Sequence, residues 1–128
     1  MNNITTAMTS VPKPDQALIE AFRVAPTSII SDNLARLNGC VGLRPFHRGG
    51  RLVGTAFTVR TRPGDNLAIH RALELVGPGD VIVVDGGGDE RRALVGEIMK
   101  NIAEWRGAAG YVVGRTVRHV AAFAGGDF

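Results

Sequence analysis

The pattern of apolar and polar positions is sharpest in the second half of the chain. Four consecutive apolar β-formers, Val81 to Val84, stand between Asp80 and Asp85 and suit a strand buried on both faces, as in a parallel sheet. Beyond the glycine-rich Gly86-Gly87-Gly88, the apolar positions Leu94, Val95, Ile98, Ile102 and Trp105 fall at helical spacing, and Gly107 supplies the stop. A second apolar run, Ala109 to Val113, predicts the next strand. Upstream, Arg51 to Arg60 mixes Leu52, Ala56 and Val59 with Thr55, Thr58 and Arg60, which predicts a partly exposed strand. Pro63-Gly64-Asp65-Asn66 predicts a turn whose Asp65 or Asn66 caps a helix bearing Leu67, Ile69, Ala72, Leu73 and Val76. Gly77-Pro78-Gly79 ends that helix. The order from Arg51 onward is β-α-β-α-β, an α/β architecture with right-handed crossovers.

Earlier in the chain the pattern weakens. Residues 1–14 read as a flexible leader, and 15–128 as a single domain. Asp15 can cap a helix through about Val24, with Leu18, Ile19 and Phe22 facing inward. Thr27 or Ser28 can cap a second helix carrying Ile29, Ile30, Leu34 and Leu37, closed by Asn38-Gly39. Asp32-Asn33 sits in that helix as solvent-facing polar residues. Val41 to Gly50 reads as loop. After the last predicted strand, Val117 to Phe123 reads as the start of a helix, and Gly125 to Phe128 as a turn into a further strand. The strand at Ala109–Val113 is left with an exposed edge or a missing neighbour.

Composition narrows the function classes. A chain of 128 residues with 45% hydrophobic content can hold one core, and it has no apolar stretch of the roughly 18 residues a membrane span requires. One cysteine, Cys40, cannot form an internal disulfide, so a reducing, cytoplasmic home is the default. The net charge of +3 comes mostly from arginine. Arg44, His47, Arg48 and Arg51 cluster locally, but a basic segment without stacking aromatics is a solvated surface before it is a nucleic-acid site. His47 and His70 have no partner pattern. Dinucleotide, P-loop, nucleophile-elbow, zinc-peptidase and Cys-x-x-Cys motifs are all missing.

Two places remain that can carry chemistry. Gly96, in the middle of a helical pattern, costs about 1 kcal/mol against alanine, so it marks either close packing or the true helix start. In the second case the N–H groups of Glu97, Ile98 and Met99 face the strand end, ready for a carboxylate. The other place is Arg118-His119, spatially close to Glu97 if the βαβ reading holds. A guanidinium fork matches a small carboxylate bidentately.

Several fragments, in order, carry a family resemblance. They are Ser31-Asp32-Asn33-Leu34, Gly42-Leu43-Arg44-Pro45, Gly54 to Arg60, Pro63 to Leu67, Pro78 to Asp85, Gly96-Glu97 and Arg106-Gly107. Over about Thr27 to Phe128 the chain resembles the RraA-like family, which includes metal-dependent 4-hydroxy-4-methyl-2-oxoglutarate aldolases. The resemblance implies a swivelling β/β/α fold with a central sheet of βαβ units flanked by helices, assembled as a homo-oligomer, a trimer or hexamer. It implies that Gly96 and the amides of Ile98 and Met99 hold the carboxylate of a small 2-oxo acid such as pyruvate. Arg118 matches the substrate-binding, catalytic arginine, and Glu97 an acidic residue holding metal-bound water. The next position is normally an aspartate that ligates the divalent metal, magnesium or manganese, and here it is His119.

The activity so implied is that of a class II pyruvate aldolase and oxaloacetate decarboxylase, a lyase. Three departures bear on it. His119 replaces an oxygen ligand and favours another transition metal. Gly114-Arg115 stands where the family usually has Asp-Gly. Family members also continue for some tens of residues past Gly126-Asp127-Phe128, a part this sequence lacks. The alternative implied by the same resemblance is a non-catalytic RraA-like binding protein that docks to a ribonuclease or acts as an oligomer subunit.

Overall fold

The computed structural model describes residues 12–128 apart from 115, 116 and 127. The leader expected over residues 1–14 therefore falls mainly outside the described residues; within it, Lys13 Nζ lies 2.7 Å from Asp80 Oδ1.

Three strands form one parallel sheet in sequence order: β1 (Thr55–Arg60), β2 (Asp80–Asp85) and β3 (Gly110–Gly114). β1 pairs with β2 from Thr55↔Asp80 to Arg60↔Asp85, and β2 with β3 from Val81↔Gly110 to Asp85↔Gly114. The crossovers carry α3 (Leu67–Leu73) and α4 (Glu97–Trp105), which touch each other and so share a face of the sheet. β2 is the central strand; Val81, Ile82 and Val84 are buried, Ile82 fully, while Val83 is only half-buried, so burial on both faces is incomplete. Ile82 and Val84 meet Ile69, Ala72 and Leu73 from α3, Met99 and Ala103 from α4, and the loop residues Leu94 and Val95. Each fully buried aliphatic side chain of this kind contributes about 1.5–3 kcal/mol.

Local chemistry sets the element ends. Asp65 Oδ1 accepts from the Leu67 amide at 2.9 Å at the start of α3, while the Asn66 side chain makes no cap bond there. Gly107, at φ +79°, follows Arg106, which caps α4, in the left-handed conformation that glycine adopts without a Cβ penalty. The Gly79 amide then donates to the Gly107 carbonyl at 2.9 Å, tying that turn to the start of β2.

Several expectations are corrected. α4 begins at Glu97 with Gly96 as its N-terminal flank, so Leu94 and Val95 are buried loop residues and not part of the helical stripe. The remaining stripe points outward: Ile98 is 74% exposed and Trp105 82%, while Met99, Lys100 and Ala103 form the buried side. Lys100 is tolerated there because its Nζ reaches Glu104 at 2.9 Å and lies over the Phe128 ring.

The two leading helices, α1 (Gln16–Val24) and α2 (Thr27–Asn33), bury no residue. Asp15 caps α1 by accepting from the Leu18 amide at 3.0 Å, yet Leu18 and Phe22 stay exposed instead of reaching the core. The flank of α2 is Pro26, with no side-chain cap from Thr27 or Ser28. Ala35 and Arg36 turn left-handed, which ends α2 before Leu37. Near the end of the chain, α5 (Val120–Ala124) starts later than expected, because Val117 forms a parallel bridge to Val95. Phe128 packs edge-on against Tyr111 at 5.9 Å between ring centroids.

Candidate functional site

The site assembles where the β2–α4 loop meets the segment after β3. The bridge Val95↔Val117 and the hydrogen bond from the Arg118 amide to the Val95 carbonyl, 3.0 Å, hold the two segments side by side. Leu94 and Val95 anchor one segment in the core. The Asn66 side-chain Nδ2 donates to the Leu94 carbonyl of that segment at 3.5 Å and to Met99 Sδ in α4 at 3.9 Å. The sequence offers Asn66 as a helix cap; its side chain makes no cap bond and reaches the neighbouring loop instead.

Gly96 is extended, at φ −141° and ψ −177°, and makes no side-chain cap bond. The Lys100 amide donates to the Gly96 carbonyl at 3.0 Å. The amides of Glu97, Ile98 and Met99 precede that first helical bond, so they are the unpaired donors at the positive end of the helix dipole.

Arg118 lies directly over this helix start. A Cβ placed on Gly96 would sit 3.0 Å from Arg118 Nε, 3.3 Å from its Cγ and 3.5 Å from His119 Nδ1. The absence of a side chain at 96 therefore leaves room for the guanidinium stem and the imidazole. Arg118, His119 and Glu97 are all exposed, and none of the three side chains has a hydrogen bond or ion pair among the described residues. His119 is left-handed, at φ 58° and ψ 43°, and flanks α5. Gly114 ends β3, and Arg115 lies outside the described residues.

The arrangement pairs free amides, a dipole end and an uncompensated guanidinium around one small surface. Such a set receives an anion of carboxylate size. Its fit to a metal is poorer. Among the described residues there is no group of three His, Cys, Asp or Glu side chains that could hold an ion. The donors near the helix start are one carboxylate, Glu97, and one imidazole, His119. Magnesium takes oxygen ligands in near-octahedral geometry, so these donors do not fit a resident magnesium ion.

Charged residues at the neighbouring strand ends are self-contained. Arg60 Nε bonds Asp85 Oδ2 at 3.0 Å, and the Gly87 amide donates to Asp85 Oδ1 at 3.1 Å. That amide and the Arg60 guanidinium hold the Asp85 carboxyl below its ordinary range. Two hollows lie elsewhere: one of about 490 Å³ between residues 43–52 and β3, and one of about 320 Å³ between α1 and α2. His47 borders the first; His70 is an exposed residue of the last turn of α3. Among the described residues no helix is long and apolar enough to cross a membrane.

Comparison with known proteins gives a consistent picture. The RraA-like family, described as Aldolase/RraA, matches residues 27–128. A protein of Halalkalibacterium halodurans named "Putative 4-hydroxy-4-methyl-2-oxoglutarate aldolase" is 40% identical over 105 residues, 81% of this chain and 50% of that protein. The chain spans about half the length of the curated relatives it matches. Among solved structures it is similar to the RNA-processing inhibitor RraA from Thermus thermophilis. That likeness has a TM-score of 0.69 and 32% identity, covering 81% of this chain and 63% of that one. It is also similar to a Geobacillus kaustophilus structure titled S-adenosylmethionine: 2-dimethylmenaquinone methyltransferase. There the TM-score is 0.71 and the identity 33%, covering 80% and 64% of the two chains.

Proposed function

Because the chain belongs to the RraA-like family, we propose that it binds a small 2-oxo acid at the start of α4 and carries pyruvate aldolase chemistry there. The observation that carries the reading is the closeness of Arg118 to Gly96, with the amides of Glu97, Ile98 and Met99 beside it. In this reading the Ile98 and Met99 amides hold the substrate carboxylate. Arg118 binds the adjacent oxo group and stabilises the enolate charge as the carbon–carbon bond breaks, since a preorganised donor acts most strongly where charge develops. Glu97 holds a water through which the hydroxyl proton passes to its carboxylate, and the same proton returns to the enolate carbon to release pyruvate. Oxaloacetate decarboxylation passes through the same enolate, so the same contacts serve both substrates.

The relative's name, aldolase, supports the reaction class. The family aldolases use a divalent cation, and the imidazole at position 119 shifts any preference from magnesium or manganese toward zinc, nickel or iron. The test is pyruvate release from 4-hydroxy-4-methyl-2-oxoglutarate and from oxaloacetate, in separate arms with Mg²⁺, Mn²⁺ and Zn²⁺. Release above the metal-only blank that disappears in Arg118→Ala supports the reading. Release no faster than the blank in every arm removes the catalytic half of it and leaves binding to be measured directly.

A second reading is favoured by one observation, the exposed helix face of Ile98, Ile102 and Trp105. It is a binding protein in which that face docks to a partner or to further copies of the chain as a trimer or hexamer. Likeness to the Thermus RNA-processing inhibitor supports a ribonuclease as partner. Capture of ribonuclease E by immobilised protein, lost on Trp105→Glu, supports it; equal capture by the variant opposes it.

A further inference from the structure

Three successive carbonyls lead into α4, and each meets a different donor. The Gly96 carbonyl accepts from the Lys100 amide at 3.0 Å, within the helix. The Val95 carbonyl accepts from the Arg118 amide, also at 3.0 Å, across to the segment after β3. The Leu94 carbonyl accepts from the Asn66 side chain, whose Nδ2 stands 3.5 Å away and 3.9 Å from Met99 Sδ. One carboxamide therefore touches both the end of the loop and the first turn of the helix. Leu94 and Val95 are buried, where a carbonyl without a partner would be costly.

Asn66 is not employed in capping α3. Asp65 Oδ1 does that by accepting from the Leu67 amide at 2.9 Å, and Asn66 makes no side-chain cap bond. Its side chain instead belongs to a seam between the β1–α3 turn and the β2–α4 loop. Along that seam Pro63 Cγ lies 3.0 Å from where a Cβ on Gly87 would stand, and the Arg92 side chain fills the space over Gly64. Asn66 extends the seam to Leu94 and Met99, on either side of Gly96.

We propose that Asn66 is a positioning residue for the anion site. Its carboxamide fixes the Leu94–Val95 peptide and the Met99 side chain, and through them the direction of the Glu97, Ile98 and Met99 amides. Gly96 is the joint between loop and helix, and a glycine offers its backbone little rigidity of its own. Donors on the carbonyls just before it supply what the joint lacks: the Arg118 amide at Val95 and Asn66 at Leu94. The proposal rests on the reading of the α4 start as a carboxylate site, and it adds a residue outside that site which sets its geometry without touching the ligand.

The test compares Asn66→Ala and Asp65→Ala with the unaltered chain by oxalate titration, urea unfolding and residual dipolar couplings, which report N–H direction. Asn66→Ala is expected to change the couplings of the Glu97, Ile98 and Met99 amides in the ligand-free protein. It should also weaken oxalate binding by about three- to tenfold, the worth of one such hydrogen bond. Asp65→Ala removes the α3 cap, so it should lower the urea midpoint and leave those couplings and the affinity unchanged. Asn66→Leu, of similar volume and without a donor, takes the place of the alanine variant if that one does not fold. Unmoved couplings, or oxalate affinity equal to that of the unaltered chain, overturn the proposal while the anion site itself stands. An unaltered chain that binds no oxalate removes the carboxylate reading, and the proposal falls with it.

Discussion

Gly96 and Arg118 share one small volume: a Cβ on the glycine would stand 3.0 Å from the arginine Nε. The Gly96 backbone is extended and would accept alanine, so the glycine serves its neighbour and not its own conformation. Gly96→Ala is expected to push the guanidinium aside and weaken pyruvate or oxalate binding by about tenfold, or ~1.4 kcal/mol. Unfolding free energy should change by less than about 1 kcal/mol. In an Arg118→Ala background the same change should cost almost nothing, because the pair acts as a unit. Calorimetric titration of the four proteins in this cycle checks it.

His119 holds a left-handed conformation that asparagine and aspartate adopt more readily than most residues. His119→Asp therefore changes ligand chemistry while keeping the turn. Magnesium-dependent pyruvate release is expected to rise by about tenfold or more, since a charged carboxylate replaces an imidazole. His119→Asn, with the same backbone preference and no charge, should leave it unchanged. Initial rates at a series of Mg²⁺ concentrations decide between these outcomes.

Gly107 ends α4 at φ +79°, with Pro78 atoms 3.3–3.5 Å from where a Cβ would stand. Alanine there takes a left-handed conformation costing about 1–2 kcal/mol and presses on the turn that leads into β2. Gly107→Ala should lower the unfolding free energy by that amount, seen as a lower urea midpoint at an unchanged denaturant slope. Oxalate affinity should stay the same, because the helix end lies opposite the site.

Asp85 gives the pH dependence its sign. The Gly87 amide and then Arg60 stabilise its ionised form, so its folded-state pKa lies below the unfolded value of about 3.9. The stabilisation is present in full above that value and is lost as pH falls through the folded pKa. Asp85→Asn should flatten the stability profile below about pH 4 and leave it unchanged in slope at neutral pH. Urea unfolding at a series of pH values would show this.

The sheet was legible because its signals are local. The run Val81–Val84 suits a strand inside a parallel sheet, and Gly107 and the Pro63–Asn66 turn punctuate the chain by backbone preference. Gly96 left two readings open, close packing or the helix start, and α4 begins right after it. The faces of the helices were not legible. Ile98, Ile102 and Trp105 have helical spacing but face outward, because Leu94 and Val95 fill the core from the loop. Periodicity reports that a face is apolar, not what covers it. Likewise Leu18, Phe22 and Ile29 form an apolar surface on α1 and α2 that the described residues leave exposed. At the site, the nearness of Gly96 and Arg118 followed from the βαβ order. The Val95–Val117 bridge and the Asn66 contacts did not, since pairing between distant loops leaves no periodic trace.

Backbone amide NMR with pyruvate titration tests the central claim most directly. Shifts concentrated on the Glu97, Ile98 and Met99 amides and the Arg118 Nε–H, saturating together and vanishing in Arg118→Ala, are the predicted result. Saturating pyruvate that leaves those four resonances in place, or moves only resonances elsewhere, would contradict it.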